Sequence, residues 1–200
     1  LPYFKRSEDW QGQSSPLRGQ GGPLTVSKTR VSRPVVDAWL QAAKNCGYPE
    51  NKDYNGADQE GVGLFQLTAK RGRRCSSAVA YLNPARSRSN LTILTNSCVE
   101  KLLFEGKRAT GVQLADGLLK ANKEVIVCAG AIGSPQLLMV SGIGSVDQLN
   151  PHKIKIVKEL PGVGQNLQDH LQARPVFKCA ASTINTEISN WFKQGLIGLE

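Results

Sequence analysis

Apolar positions recur with different periods along this chain, and each change of period marks an expected element. Between positions 34 and 43, Val35, Val36, Trp39, Leu40 and Ala43 fall at helical spacing. Ser32 supplies a cap, Pro34 sits in the first turn and Gly47 stops the run, so an amphipathic helix is predicted. Between Leu91 and Cys128 four short runs, 91–95, 98–104, 109–114 and 124–128, are separated by turn residues such as Glu105-Gly106-Lys107 and Asp116-Gly117. That spacing describes a β-meander. The last run, Val125-Ile126-Val127-Cys128, is continuously apolar and predicts a fully buried strand. It leads through Ala129 to Gly133 into a helix opened by Ser134-Pro135 and ended by Gly142. Strand, small-residue turn and helix in that order form the layout of a nucleotide-binding edge.

Elsewhere the pattern is weaker. Residues 10–25, rich in Gly, Ser, Pro and Gln, predict a loop without any element. Stretches 61–68 and 154–159 are short and apolar enough for strands, and 76–82 reads as a helix. Beyond Pro175 the chain turns polar around Trp191 and Phe192, and no internal repeat is present. A domain change is expected near residue 171, giving one domain over 1–170 and the start of another over 171–200.

Composition narrows the class. With 40% hydrophobic and 6% aromatic residues, 20 Gly and 10 Pro in 200 positions, fibrous, low-complexity and membrane-spanning classes are excluded. The net charge of +9 is spread over both halves and turns attention to nucleic acid, anionic lipid or phosphate. It is densest at Lys70-Arg71-Gly72-Arg73-Arg74, which reads either as a contact for phosphate or acidic groups or as a solvated turn. Cys46, Cys75, Cys98, Cys128 and Cys179 contain no C-x-x-C pair, so neither a disulfide framework nor a zinc site is expected. A reducing setting follows, cytoplasmic or membrane-associated rather than secreted. The opening Leu1-Pro2-Tyr3-Phe4-Lys5-Arg6 has no initiator Met or signal segment and reads as a chain cut from something longer.

Motifs with chemistry are sparse. Gly61-Val62-Gly63, Gly142-Ile143-Gly144 and Gly162-Val163-Gly164 begin a dinucleotide fingerprint, but Gln66, Asp147 and Leu167 stand where its third glycine belongs. Gly130 and Gly133 serve either close packing or a ligand. His152 lies in a turn, and His170 follows Asp169 in a loop where the pair forms either a structural hydrogen bond or a ligand contact. Ser134 lacks the glycine frame of a nucleophile elbow and reads as a helix cap. No catalytic residue and no metal ligand set is assigned.

Several motifs taken together are more specific. Residues 21–27 (GGPLTVS), 53–56 (DYNG), 59–63 (QEGVG), 72–74 (GRR) with 81–84 (YLNP), 88–91 (RSNL), 133–144 (GSPQLLMVSGIG) and 160–170 (LPGVGQNLQDH) occur in the order found in the glucose-methanol-choline (GMC) oxidoreductases. The chain resembles the choline dehydrogenase-like alcohol dehydrogenases of that family. The resemblance implies an α/β fold, mixed α+β in detail: an FAD-binding Rossmann-like domain with an inserted β-meander, followed by the start of an antiparallel-sheet substrate domain. It also implies hydride transfer from the CH–OH carbon of choline or another primary alcohol to FAD, with a base removing the hydroxyl proton. By the same resemblance, Val99 offers a backbone contact to the adenine, Ala129 and Gly130 pass beside the FAD, and Ser134 is the next candidate. The partner implied is a small-molecule alcohol, with an electron acceptor of unassigned identity.

Family members are longer, and their N-terminal pyrophosphate loop and C-terminal catalytic histidine have no counterpart here. This polypeptide alone is therefore expected neither to hold FAD tightly nor to turn over alcohol. The alternatives are an inactive remnant and a non-redox lyase of the same fold. A basic nucleic-acid-binding domain is more remote, since no recognition motif accompanies the charge and no nucleic-acid partner is expected.

Overall fold

The computed structural model describes residues 1–30, 32–174 and 176–188, so Trp191 and Phe192 lie outside the described residues. The chain divides into two compact units, Leu1–Thr92 with Val176–Glu200, and Ile93–Pro175.

In the first unit, α1 (Pro2–Ser7) runs straight into β1 (Glu8–Trp10), which pairs in parallel with β2 (Leu24–Lys28). A parallel pair needs a long connection. Residues 11–23 provide it as an irregular loop, so the element-free segment expected over 10–25 is right for its interior and wrong at Trp10, Leu24 and Thr25. The helix expected after Ser32 is α2 (Pro34–Asn45), with Pro34 in its first turn. Arg33 rather than Ser32 takes the cap position, because the Ser32 hydroxyl is drawn to Asp37 Oδ1 at 2.7 Å. Its apolar stripe stays open: no α2 residue is fully buried, and Trp39 is 64% exposed.

Of the strand expected over 61–68 only β3 (Gln66–Leu67) forms, antiparallel to β2. A hairpin follows, β4 (Ala69–Lys70) and β5 (Arg73–Arg74). Its turn residues Arg71 and Gly72 both have positive φ, +50° and +75°, the geometry that matches a two-residue turn to the twist of its strands. The helix expected over 76–82 is a π-helical turn at Ala78–Leu82 that passes into α3 (Asn83–Ala85).

The second unit contains the meander, in a shifted form. β6 (Val99–Glu105), β7 (Arg108–Leu114) and β8 (Gly117–Lys120) form an antiparallel sheet in chain order. Leu91–Thr95 is not a strand, and the third strand lies at 117–120, because Gly117 follows a two-residue turn that returns the chain directly onto β7. The run Val125–Cys128 forms no strand, and Ile126 is 75% exposed. No described strand runs beside it to accept its ladder bonds or cover its faces, so the buried strand expected there is corrected to an irregular, partly exposed segment.

The helix expected from Ser134 begins earlier, as α4 (Gly130–Val140), and lies against β6. Ser134 is therefore not its cap. Gly142, at φ +91°, stops α4, and a side chain there would also collide with the Lys155 carbonyl. β9 (Ile143–Gly144), α5 (Val146–Leu149) and β10 (Lys158–Glu159) complete the unit, so the strand expected over 154–159 keeps only its last two residues. α6 (Ile184–Ile188) belongs to the first unit, where Arg33 Nε lies 2.9 Å from Glu187 Oε2. No helix among the described residues is long and apolar enough to cross a membrane.

Candidate functional site

In the second unit, the first half of β6, Val112 of β7, the open run 125–128 and one face of α4 surround a groove of 600 Å³. Val99 and Ala129, far apart in sequence, meet in its wall. α4 contributes Gly133, Gln136, Leu137 and Val140, the i, i+3, i+4, i+7 set of one helical face. The groove is fixed from behind by a buried hydroxyl. Ser141 Oγ accepts the N–H of Leu102 at 2.8 Å and donates to the Leu137 carbonyl at 2.6 Å, which ties α4 to β6.

At the groove's end the chain enters α4 through Ala129. Ser134 Oγ accepts the Ala129 N–H at 3.1 Å, so this serine shapes the turn from the second turn of the helix. Gly130 adopts φ +82° with no atom within 4 Å of a Cβ position, which leaves the backbone open to close approach by another group. The N–H groups of the first turn of α4 lack helical acceptors and form a place where anionic oxygen is favoured. These features fit the shape and polarity of a nucleotide cofactor: apolar walls, a glycine face and backbone donors. Of the four candidate residues, Val99 and Ala129 line the groove, while Gly130, next in the chain, and Ser134, bonded to the Ala129 N–H, are not among its lining residues.

Sequence reasoning missed the polar members of this wall, Glu100 and Gln136, and the thiols of Cys98 and Cys128. The helical spacing from Gly133 to Val140 was the signal available for Gln136; no spacing pointed to Glu100. Both histidines are exposed. The Asp169 carboxylate accepts the backbone N–H of His170 at 2.8 Å.

Phe65 is 76% exposed and meets Tyr54 edge to face at 5.8 Å. Gln66 borders a 410 Å³ cavity beside α2 and also bonds inward to Arg18 and Asp53, each at 3.0 Å. All five cysteines are free thiols.

Residues 1–172 match the sequence profile described as GMC oxidoreductase. Over its whole length the chain is 43% identical to human mitochondrial choline dehydrogenase, covering 34% of that protein. It is 44% identical to the oxygen-dependent choline dehydrogenase of Vibrio vulnificus (strain YJ016), again over all of this chain and 37% of that one. Among solved structures, pyridoxine 4-oxidase from Mesorbium loti superposes with a TM-score of 0.78 at 36% identity, over 85% of this chain and 34% of its own. An FAD-dependent oxidoreductase from Chaetomium thermophilum gives 0.77 at 33% identity, over 84% and 32%. The chain thus spans about a third of the length of the curated relatives it matches.

Proposed function

This chain belongs to the GMC oxidoreductase family, and from that membership we propose that the protein is an FAD-dependent oxidoreductase acting on the CH–OH group of an alcohol, choline or another primary alcohol, which leaves as the aldehyde. The observation that carries the reading is the groove in which Val99 and Ala129 converge beside the open glycine at the start of α4. Identity of 43–44% to choline dehydrogenases over the whole chain supports the substrate class.

When bound, FAD supplies the acceptor for the hydride leaving the alcohol carbon. This chain's own residues position and enclose. Val99, at the head of β6, offers main-chain groups to a flat heterocycle, and the apolar wall of Leu102, Val112 and Leu137 excludes water from its faces. Ala129 and Gly130 allow the backbone to approach without a long side chain, and the Ser134 hydroxyl holds that turn in place. In this reading 1–170 form most of the cofactor domain and 171–200 open the substrate domain.

The test is the visible spectrum of the protein produced from its complete reading frame, followed by anaerobic addition of primary alcohols including choline. Flavin absorbance that bleaches with an alcohol is the expected outcome and names the substrate class. Bound flavin that no alcohol bleaches would replace the redox reading by a lyase, and absence of flavin would leave an inactive remnant.

A further inference from the structure

The β4–β5 hairpin gathers exposed positive charge. Lys70 stands directly opposite Arg73 in the strand register, and Arg71 occupies the turn between them. Like charges facing one another across a ladder destabilise it, and this ladder has only two residue pairs to resist them. A further cation lies against the turn: a Cβ added to Gly72 would stand 2.6 Å from Arg30 Nη2. Among the described residues, Arg30, Lys70, Arg71, Arg73 and Arg74 form no ion pair with any carboxylate.

Three of these cations, Arg30, Lys70 and Arg71, border a cavity of 340 Å³ that also receives Thr25 and Ser27 of β2. Asp9 is the one carboxylate in its wall, and both its oxygens are engaged, Oδ1 by the Gly21 N–H at 3.0 Å and Oδ2 by the Thr25 hydroxyl at 3.1 Å. Two arginines, a lysine and Ser27 therefore line one space, and their side chains carry the donors suited to phosphate oxygens.

We propose that the cavity between β2 and the β4–β5 hairpin binds the phosphate group of a small anion or of a lipid headgroup. The probe is inorganic pyrophosphate, titrated calorimetrically into the complete protein at near-physiological salt. The wild type is compared with an Arg30→Gln/Arg71→Asn double variant; asparagine tolerates the left-handed backbone at position 71. One-to-one binding that weakens by roughly tenfold or more in the double variant, at unchanged circular dichroism, is the expected result. Lys70→Gln, on an exposed strand, gives an independent check with a smaller loss in the same direction. Co-sedimentation with phosphatidylcholine vesicles, with and without phosphatidic acid, separates the sources. Sedimentation only with the acidic vesicles, lost in the double variant, assigns a headgroup, and pyrophosphate binding without sedimentation assigns a free anion. Failure of both probes to bind, or equal binding by wild type and variants, overturns the proposal.

Discussion

Around Arg18 the first unit buries charge, whereas around Leu102, Leu114 and Leu149 the second buries hydrocarbon. Arg18 is 4% exposed and lies 4.0 Å above the Trp10 ring. Its Nη2 is 2.8 Å from Glu8, and its Nη1 is 2.9 Å from Asp53 and 3.0 Å from Gln66. One side chain thus joins β1, β3 and the loop after α2. In the second unit the joining group is neutral, the buried Ser141 hydroxyl bonded to the Leu102 N–H and the Leu137 carbonyl. The contrast teaches that a segment without hydrophobic period can still hold a core, provided that one long cation collects partners from several elements. Such a core depends on each partner, because a buried charge that loses its mate keeps its desolvation cost.

The largest expected effect follows from that dependence. Arg18→Met keeps the volume and the contact with Trp10 but leaves Glu8 and Asp53 without their cation. It is expected to lower stability by about 2–3 kcal/mol, toward the lower end of buried-pair losses because both carboxylates are partly exposed. Urea unfolding of the complete protein measures it, and a loss below about 1 kcal/mol would show that the ionic network does not hold this unit together.

Ser141→Ala probes the other core. It removes the acceptor of the buried Leu102 N–H and should cost about 1–2 kcal/mol, the penalty of one unsatisfied amide. If Ser141→Ala destabilises more than Arg18→Met, the contrast between the two cores is reversed. A sharper version measures amide exchange at Leu102, which should accelerate in Ser141→Ala and stay unchanged in Arg18→Met.

The same contrast explains what could be read in the sequence. Two strands of the meander, the helix against it and the stop at Gly142 were legible because hydrocarbon burial leaves a period and a glycine leaves a breaker, whereas the third strand at 117–120 was not. The groove residues Val99 and Ala129 came from family motifs, and their meeting in one wall needed the fold. The Arg18 core was illegible: it sits in a Gly-, Ser- and Pro-rich stretch, and its partners Glu8, Asp53 and Gln66 come from separate segments. The run 125–128 was misread because apolar composition reports a strand's preference for burial, while burial itself requires neighbours. At the start of α4, Ser-Pro resembles a cap signal, yet the helix begins four residues earlier and Pro135 lies inside it.

The smallest expected effect tests where ionic contacts in the first unit stop mattering. Glu50 Oε2 lies 2.9 Å from Lys44 Nζ at the surface. The hydrogen bond from Lys44, then its charge and that of Lys52, hold the Glu50 carboxyl below the ordinary carboxylate range. A carboxyl whose folded pKa is depressed contributes stability above its unfolded pKa and loses it as pH falls through the folded value. The pair's contribution should therefore be whole at pH 7 and fade as pH drops below about 4.3, with salt weakening it further because both groups are solvated. A carbon-13 titration of the Glu50 carboxyl should give a midpoint that rises in Lys44→Met. An unmoved midpoint would mean that the pair does not persist in solution, and that an exposed ion pair does not act in this unit as the one Arg18 buries does.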